Sequence, residues 1–141
     1  MLVNQLAVFL ENKKGRLCSL TAILAENKID LIAMSIADTK EYGIVRLITS
    51  DNKKAMACLK DAGFVVTNND MIGIEVEDKP GGLADVLKEV EKCNIDIEYL
   101  YSFARTKQGK AIILFKADKP DETIEILKKS ANVKLISSMV D

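Results

Sequence analysis

The chain contains one segment twice. The sequence ENKKGRLCSLTAILAENKID at Glu11–Asp30 returns, 66 positions later and without a gap, as EDKPGGLADVLKEVEKCNID at Glu77–Asp96. The two copies share glycine, leucine, isoleucine and aspartate at matching positions, and the same offset also pairs Gly43 with Gly109. A repeat of this length predicts that the 141 residues form two copies of one structural unit.

Both copies contain the same predicted elements in the same order. In the second copy, apolar and polar residues alternate over Ile72–Glu77, which predicts a strand, and apolar residues at helical spacing over Leu83–Val90 predict a helix. Two strands joined at a hairpin glycine, a second helix and a closing strand complete the order βαββαβ. This order is typical of ferredoxin-like α+β units, which have an antiparallel sheet with helices on one face. We expect two tandem units, residues 1–69 and 70–141, joined at a polar turn over Thr67–Asp70.

Several predicted strands are apolar on both faces, as in LAVFL at Leu6–Leu10. One face of a ferredoxin-like sheet carries no helix, and large exposed apolar patches are rare on soluble monomers. We therefore expect a homodimer in which a second copy covers this face or the sheet edges. The alternative is ordinary strand composition without a partner.

The composition excludes several classes of function. The 20 basic and 21 acidic residues almost cancel, so no basic surface for nucleic acid is expected. No apolar run approaches the ~20 residues that span a bilayer, and the N-terminal charges follow the apolar stretch, unlike a secretory signal. We expect a cytoplasmic protein with neither a nucleic-acid nor a membrane partner.

Catalytic and metal chemistry have little support in the sequence. The chain has no histidine, the commonest general acid or base and a leading metal ligand. Cys18, Cys58 and Cys93 form no CxxC pair and no zinc spacing, so we expect them to be apolar packing residues. We expect no metal, no cofactor and no catalytic residue.

The turn between the first strand and the first helix has the strongest functional signal in each copy. In EDKPGGL, the proline presets the turn, Gly81 and Gly82 allow close backbone approach, and the helix start offers unpaired N–H groups that suit a carboxylate. In ENKKGRL, Lys14 and Arg16 would complement an anion directly. The alternative is that both turns only connect a strand to a helix.

An aspartate recurs at the other end of each helix. Asp30 and Asp96 lie thirteen residues after the first leucine of the helix, where the chain enters the next strand. Each alone would be compatible with a solvated turn residue. Tyr99 and Tyr101 follow Asp96 on one side of that strand, where they would line a pocket, a dimer surface or the core.

The combined pattern of strand, D/E-x-x-P-G-x-L, helix, N-I-D/N-I, strand, hairpin glycine, strand, helix and strand resembles the ACT domain, a small amino-acid-binding regulatory module. The segment EDKPGGLADVLKEVEKCNIDI is a close match, and the first copy is less regular because it lacks the proline. The resemblance covers essentially the whole chain as two tandem ACT domains. It implies a free amino acid bound at interfaces between paired domains, and control of an enzyme or transcription factor in trans.

By motif position, the resemblance implies ligand-binding residues in both turns and at both aspartates. These are Asn12, Lys14, Gly15, Arg16, Leu17, Asp30, Asp78, Gly81, Gly82, Leu83 and Asp96. Relatives often have asparagine at the two aspartate positions, and an aspartate there would pair with the ligand's ammonium group and repel an acidic side chain. Lys14 and Arg16 break the proline-glycine pattern, so the two sites need not be equivalent.

The leading hypothesis is a non-enzymatic, allosteric amino-acid sensor that acts on a partner protein. One alternative is a structural oligomerisation module without a ligand. The other is a small enzyme on a ferredoxin-like scaffold, with Asp30, Asp96 or Lys13 as acid or base. The sequence leaves open which amino acid binds, at how many sites, and with which effect on which partner.

Overall fold

The computed structural model describes residues 2–38, 42–103 and 109–139. In these ranges the helices are α1 (Arg16–Glu26), α2 (Asn52–Asp61), α3 (Gly82–Glu91) and α4 (Pro120–Lys128). The strands are β1 (Val3–Glu11), β2 (Leu31–Asp38), β3 (Tyr42–Thr49), β4 (Val65–Glu77), β5 (Ile97–Phe103), β6 (Lys110–Ala117) and β7 (Lys134–Ile136). No helix within these ranges is both long enough and apolar enough to cross a membrane.

Backbone contacts divide the chain into two compact units. The first comprises Asn4–Asn69 with Met139, and the second comprises Asp70–Ser138 with Leu2 and Val3. Each unit has its own cluster of buried apolar side chains.

The first unit is an antiparallel sheet with the strand order β2-β3-β1-β4. β1 pairs with β3 from Leu6 opposite Leu47 to Glu11 opposite Tyr42, and β3 also pairs with β2. Alternate apolar side chains of β1 and β3 pack against α1 and α2. This core includes Leu6, Val8, Leu10, Leu20, Leu24, Val45, Leu47, Ala55 and Leu59.

The second unit repeats this arrangement with the strand order β7-β4-β6-β5. β4 pairs with β6 from Ile72 opposite Phe115 to Glu77 opposite Lys110. Its core, with side chains of α3 and α4, includes Ile72, Ile74, Val76, Val86, Val90, Phe115 and Leu127. Each unit therefore has the βαββαβ order, and the predicted fold class of two tandem ferredoxin-like α+β units is confirmed.

The predicted turn over Thr67–Asp70 is wrong, because these residues lie within the continuous strand β4. Their polar side chains bond to the neighbouring strand. Thr67 Oγ1 donates to the carbonyl of Ala7 at 3.5 Å, and the Asn68 side chain accepts a hydrogen bond from the Asn4 side chain. Pairing with β1 thus outweighs the turn preference of a polar sequence.

The face of the first sheet away from the helices is only partly exposed. Phe9 on this face is 45% exposed, whereas Gln5 and Ala7 on the same strand are buried. Other exposed large apolar side chains of this unit include Met34 and Ile36 on β2. The apolar surface expected on the helix-free face is therefore found in good part at the edge of the sheet.

Two of the three cysteines differ from the prediction. Cys58 packs against the core of the first unit, as expected for an apolar packing residue. Cys18, on α1, and Cys93, in the turn after α3, are exposed, so the prediction is wrong for these two. Helical periodicity places Cys18 on the solvent side of α1, and Cys93 lies beyond the end of α3; composition alone shows neither.

Candidate functional site

The turn before α1 is closed by its own backbone. The Lys13 N–H donates to the Glu11 carbonyl at 2.8 Å, and the Arg16 N–H donates to the Lys13 carbonyl at 3.4 Å. Gly15 precedes the helix with a φ of 84°, the left-handed region that favours glycine. The Ser19 N–H then donates to the Gly15 carbonyl at 2.8 Å, which begins the helical hydrogen-bond series.

The turn before α3 has the same hydrogen bonds at matching positions. The Lys79 N–H donates to the Glu77 carbonyl and the Gly82 N–H donates to the Lys79 carbonyl, both at 3.0 Å. Gly81 has a φ of 89°, and its carbonyl accepts from the Asp85 N–H at 3.0 Å. The sequence repeat is thus a repeat of backbone geometry.

Pro80 is not needed for this turn. Lys14 occupies the matching position in the first unit, and the turn there has the same hydrogen bonds and the same left-handed glycine. The departure from the family pattern at Lys14 therefore leaves the backbone of the first site intact. The two sites differ in their side chains instead.

Both helix starts leave backbone donors open. Among the described side chains, none caps α1 or α3. Early N–H groups of a helix have no partner within it, and here they include those of Leu17 and Cys18 in α1 and of Leu83 and Ala84 in α3. Together with the positive end of the helix dipole, these donors suit a carboxylate.

An exposed ion pair flanks each turn at matching positions. The Lys13 ammonium lies 2.7 Å from the Glu11 carboxylate, and Lys79 pairs with Glu77 in the same way. The hydrogen bond from each lysine, followed by its charge, lowers the pKa of the glutamate. The Glu77 carboxylate in turn raises the pKa of Lys79. These lysines are thus already paired with carboxylates.

The side chain of Arg16 contacts an aromatic ring of the first core. Its guanidinium carbon lies 4.5 Å from the ring centroid of Phe64, a buried residue of the first core, in cation–π geometry. Its buried Nε has no hydrogen-bond partner among the residues that the structure places. The positive charge that the sequence analysis predicted to complement an anion therefore lies against an aromatic ring.

Gly82 is required by the turn itself. A Cβ at this position would clash with the carbonyl oxygen of Glu77. A Cβ on Gly81, by contrast, would meet no described atom within 4 Å. The sequence suggested that both glycines let the backbone approach a ligand closely. At Gly82, the close neighbour is instead the protein's own backbone, whereas Gly81 faces open space.

Asp30 and Asp96 lie at the opposite ends of their helices from the glycine turns. A side chain from the turn before the second helix of each unit holds the aspartate backbone. The Asp30 N–H donates to Ser50 Oγ, and the Asp96 N–H donates to the Asp118 carboxylate, both at 3.0 Å. Both aspartate residues are exposed. Since α1 and α3 are each about 15 Å long, one small amino acid cannot contact the turn and the aspartate of the same unit.

A groove of about 490 Å³ lies beside Asp96 in the second unit, between α3 and the start of β5. Its volume is within the range of small-molecule sites. It combines apolar and charged side chains, and it is lined by Ala84, Leu87, Lys88, Val90, Glu91, Asn94, Ile95, Asp96 and Ile97. The sequence analysis missed this groove; the available signal was an apolar residue and a charge four positions apart, Leu87 and Glu91, on the outer side of α3.

The remaining predicted residues lie around the turns. Asn12, Lys14 and Asp78 are exposed, and the Asp78 N–H donates to the hairpin glycine Gly109 at 2.9 Å. Tyr99, which sequence analysis assigned to a pocket, a dimer surface or the core, is half-buried and donates to the sulfur of Met71 at 3.3 Å.

Comparison with known protein families identifies the family to which this repeated fold belongs. The sequence model of the ACT domain pair family matches residues 1–139. The chain belongs to the ACT domain pair family. This confirms the resemblance that the glycine turns indicated.

Solved structures with the same fold match the ACT domain pair over nearly its whole length. A protein from Bacteroides thetaiotaomicron is 39% identical, with a TM-score of 0.88, and the match covers 96% of this chain and 93% of that one. The ligand-free regulatory subunit of aspartate kinase from Thermus thermophilus is 12% identical, with a TM-score of 0.63 and coverage of 89% and 91%. The corresponding subunit from Thermus flavus is 14% identical, with a TM-score of 0.61 and coverage of 87% and 88%. No sequence among the curated proteins matches the chain.

Within each ACT domain, the structure separates the predicted site residues into two groups. The turn residues, such as Gly15 and Gly81, gather at the start of the first helix, and the aspartates lie past its end. The two groups do not form one site within a unit.

Proposed function

We propose that this ACT domain pair is a non-enzymatic regulatory protein that binds a free amino acid and controls a partner protein. The observation that carries the proposal is the uncapped helix start behind a left-handed glycine, which occurs in both units. The carboxylate of the ligand accepts hydrogen bonds from early N–H groups, those of Leu83 and Ala84 in the second unit. Open space beside Gly81 leaves room for the ligand's α-carbon.

The ammonium group of the ligand needs an acceptor. Asp30 and Asp96 are exposed acidic residues suited to this role. Because each lies about one helix length from the glycine turn of its own unit, the acceptor comes from a different ACT domain, which we assign to another copy of the chain. The proposal therefore includes a homodimer with ligand at the interface between ACT domains.

The bound amino acid regulates a separate partner protein. Two structural neighbours are regulatory subunits of aspartate kinase, and we extend a regulatory role of this kind to the present chain, in the cytoplasm, with an enzyme or a transcription factor as the partner. A ligand that binds one subunit arrangement more tightly than another shifts the population towards it. The amino acid thus acts through differential affinity, without chemistry at the site.

The first prediction concerns ligand binding by the intact protein. A bound amino acid at about 100 times its Kd stabilises the folded state by about 2.7 kcal/mol, which corresponds to roughly 5–10 °C in Tm for a chain of this size. Thermal-shift measurements with each of the twenty amino acids at millimolar concentration should identify at least one that produces such a shift. A flat response to all twenty contradicts the proposal.

Ala84 provides a matched pair of variants for this measurement. Ala84→Glu places a carboxylate beside the open N–H groups of α3, where it favours the helix but repels the ligand's carboxylate. Ala84→Gln has a similar size without the charge. The shift should be smaller in Ala84→Glu than in Ala84→Gln, which should retain it; an equal shift in both variants places the ligand away from this turn.

A further inference from the structure

The groove beside Asp96 follows the outer side of α3, and we call it the α3 groove. Its lining includes Ala84 in the first turn of the helix and Asn94 in the turn after it. This stretch of chain spans about 15 Å, which exceeds the length of a free amino acid and equals about four or five residues of extended chain. The α3 groove therefore has the length of a peptide segment.

One part of the lining is apolar. Val90 and Ile95 are buried, and Leu87 and Ile97 are half-buried. Apolar side chains that remain partly exposed within a groove gain stability when a bound group covers them. A bound segment should therefore place an apolar side chain against Leu87 and Ile97.

The end of the α3 groove beyond the helix is negatively charged. Glu91 and Asp96 are exposed, and no cation among the residues that the structure describes forms an ion pair with either carboxylate. Lys88, the cation of the lining, has its ammonium 3.4 Å from the Asp85 carboxylate, one turn nearer the start of α3. The negative end of the helix dipole adds to the charge of the two carboxylates. This end therefore favours a cationic group.

The first unit lacks this negative end. At the positions that match Glu91 and Asn94, it has Ala25 and Lys28. Its aspartate at the matching position is thus accompanied by a lysine and not by a second carboxylate. The negative charge beside the groove is therefore a feature of the second unit and not of the fold.

We infer that the α3 groove binds an extended segment of the regulated partner, with an apolar residue and a lysine or arginine two positions apart. Alternate residues of an extended chain point to the same side and lie about 7 Å apart. Leu87 and Glu91 are separated by about one helical turn, or about 6 Å. The apolar side chain therefore covers Leu87 while the cation pairs with Glu91 and Asp96.

The inference rests on the proposed function, because it names the chemistry of the partner that the protein controls. Ala84, at the other end of the α3 groove, also belongs to the proposed ligand site at the start of α3. A bound amino acid and a bound partner segment are thus neighbours, although the segment needs no amino acid in order to bind.

NMR titration of the isotope-labelled full chain, without added amino acid, tests the inference. The probes are the N-acetylated, C-amidated pentapeptides Ser-Leu-Ser-Lys-Ser and Ser-Lys-Ser-Leu-Ser, whose blocked ends exclude binding through a terminal charge. At least one of them should shift the backbone amide signals of Leu87, Glu91 and Ile97, with a Kd on the order of 1 mM. The control peptide Ser-Leu-Ser-Glu-Ser should bind at least about fivefold more weakly.

Two charge variants of α3 form a matched pair. Glu91→Lys should raise the Kd of the lysine peptide at least about fivefold, because it removes a carboxylate and adds a like charge. Glu89→Lys makes the same charge change at a residue outside the groove lining and should leave the Kd within about twofold. Leu87→Thr, which copies Thr21 of the first unit, should weaken binding with the charge intact. Circular dichroism checks that each variant is folded.

Several results overturn the inference. These are no amide shift at about ten times the expected Kd, equal binding of the glutamate peptide, and equal weakening by Glu91→Lys and Glu89→Lys. Free L-lysine that binds as tightly as the peptides assigns the groove to a small molecule, and groove signals that shift on dilution without peptide assign it to a second copy. A flat thermal shift with the twenty amino acids contradicts only the proposed ligand, because the peptide titration contains none.

Discussion

At the residue scale, differences between the two copies distinguish residues that the fold requires from residues that are candidates for ligand binding. Gly82 and Arg16 occupy the same position of the repeat, but a side chain is compatible with the turn only in the first unit. There, Arg16 packs its guanidinium on Phe64 instead. Gly82 is therefore best understood as a requirement of the second turn, whereas Gly81 borders the open space of the proposed ligand site.

Alanine substitution distinguishes these two positions. Gly82→Ala should destabilise the protein by about 2–3 kcal/mol, because the new Cβ meets a backbone carbonyl that cannot rotate away. Arg16→Ala at the matching position should cost about 1 kcal/mol, the scale of a cation–π contact that is only partly desolvated. Urea unfolding followed by circular dichroism measures both, and equal losses contradict the steric argument.

A second pair of matched residues follows the helices. Lys28 and Asn94 both have a left-handed backbone, with φ of 57° and 53°. Asparagine tolerates this conformation better than lysine. The Lys28→Asn variant should therefore gain about 0.5–1 kcal/mol of stability, and the reciprocal Asn94→Lys should lose a similar amount. Tm values of the two variants check this, and a shift of the same sign in both would contradict it.

At the scale of elements, the two strand-to-helix turns conserve a backbone and not a sequence. Lys14 replaces Pro80 without changing the hydrogen bonds. The ion pair between the strand end and the turn is conserved as well, as Glu11 with Lys13 and Glu77 with Lys79. Several local interactions therefore stabilise the same turn geometry in both units.

These ion pairs predict a pH dependence. The folded-state pKa of Glu11 and Glu77 lies below 4.5, so their contribution to stability is present above this value and is lost as the pH falls through the lowered pKa. The pKa of Lys79 lies above 10.5, so its contribution is present below that value and is lost as the pH rises through the raised pKa. Stability from these pairs should therefore be constant between about pH 5 and pH 10.

Melting temperatures from pH 3 to pH 7 measure the acidic side of this window. The double variant Glu11→Gln, Glu77→Gln should lose less stability than wild type on acidification. High salt should reduce the difference between the two proteins, because the pairs are exposed. Identical acid profiles at low salt would show that the pairs do not contribute.

At the scale of the whole molecule, one fold occurs twice with different surfaces. In the first unit, α1 has no charged residue from Leu17 to Ala25, whereas in the second unit α3 carries four charges over the matching residues and a groove lies beside Asp96. The groove makes the second unit the better candidate for the proposed ligand site. The thermal-shift experiment with the Ala84 variants tests this assignment to the second unit.

Much of this organisation was predictable from the sequence. The repeat, the βαββαβ order, the glycine turns and the ACT family all follow from signals within about twenty consecutive residues, such as hydrophobic period and turn chemistry. Such signals reflect short-range backbone hydrogen bonds and the alternation of side chains, which depend little on the rest of the chain. The prediction was wrong where pairing with a distant strand decided the outcome, as for Thr67–Asp70 in β4.

Only the tertiary structure decided which predicted residues meet. It directed Arg16 to Phe64, placed the Glu77 carbonyl against Gly82, and set Asp96 a helix length from Gly81. It also left Met34 and Ile36 of the edge strand β2 exposed. Distances and exposure of this kind depend on strand order and on packing between elements far apart in sequence, and a local pattern contains no information about either.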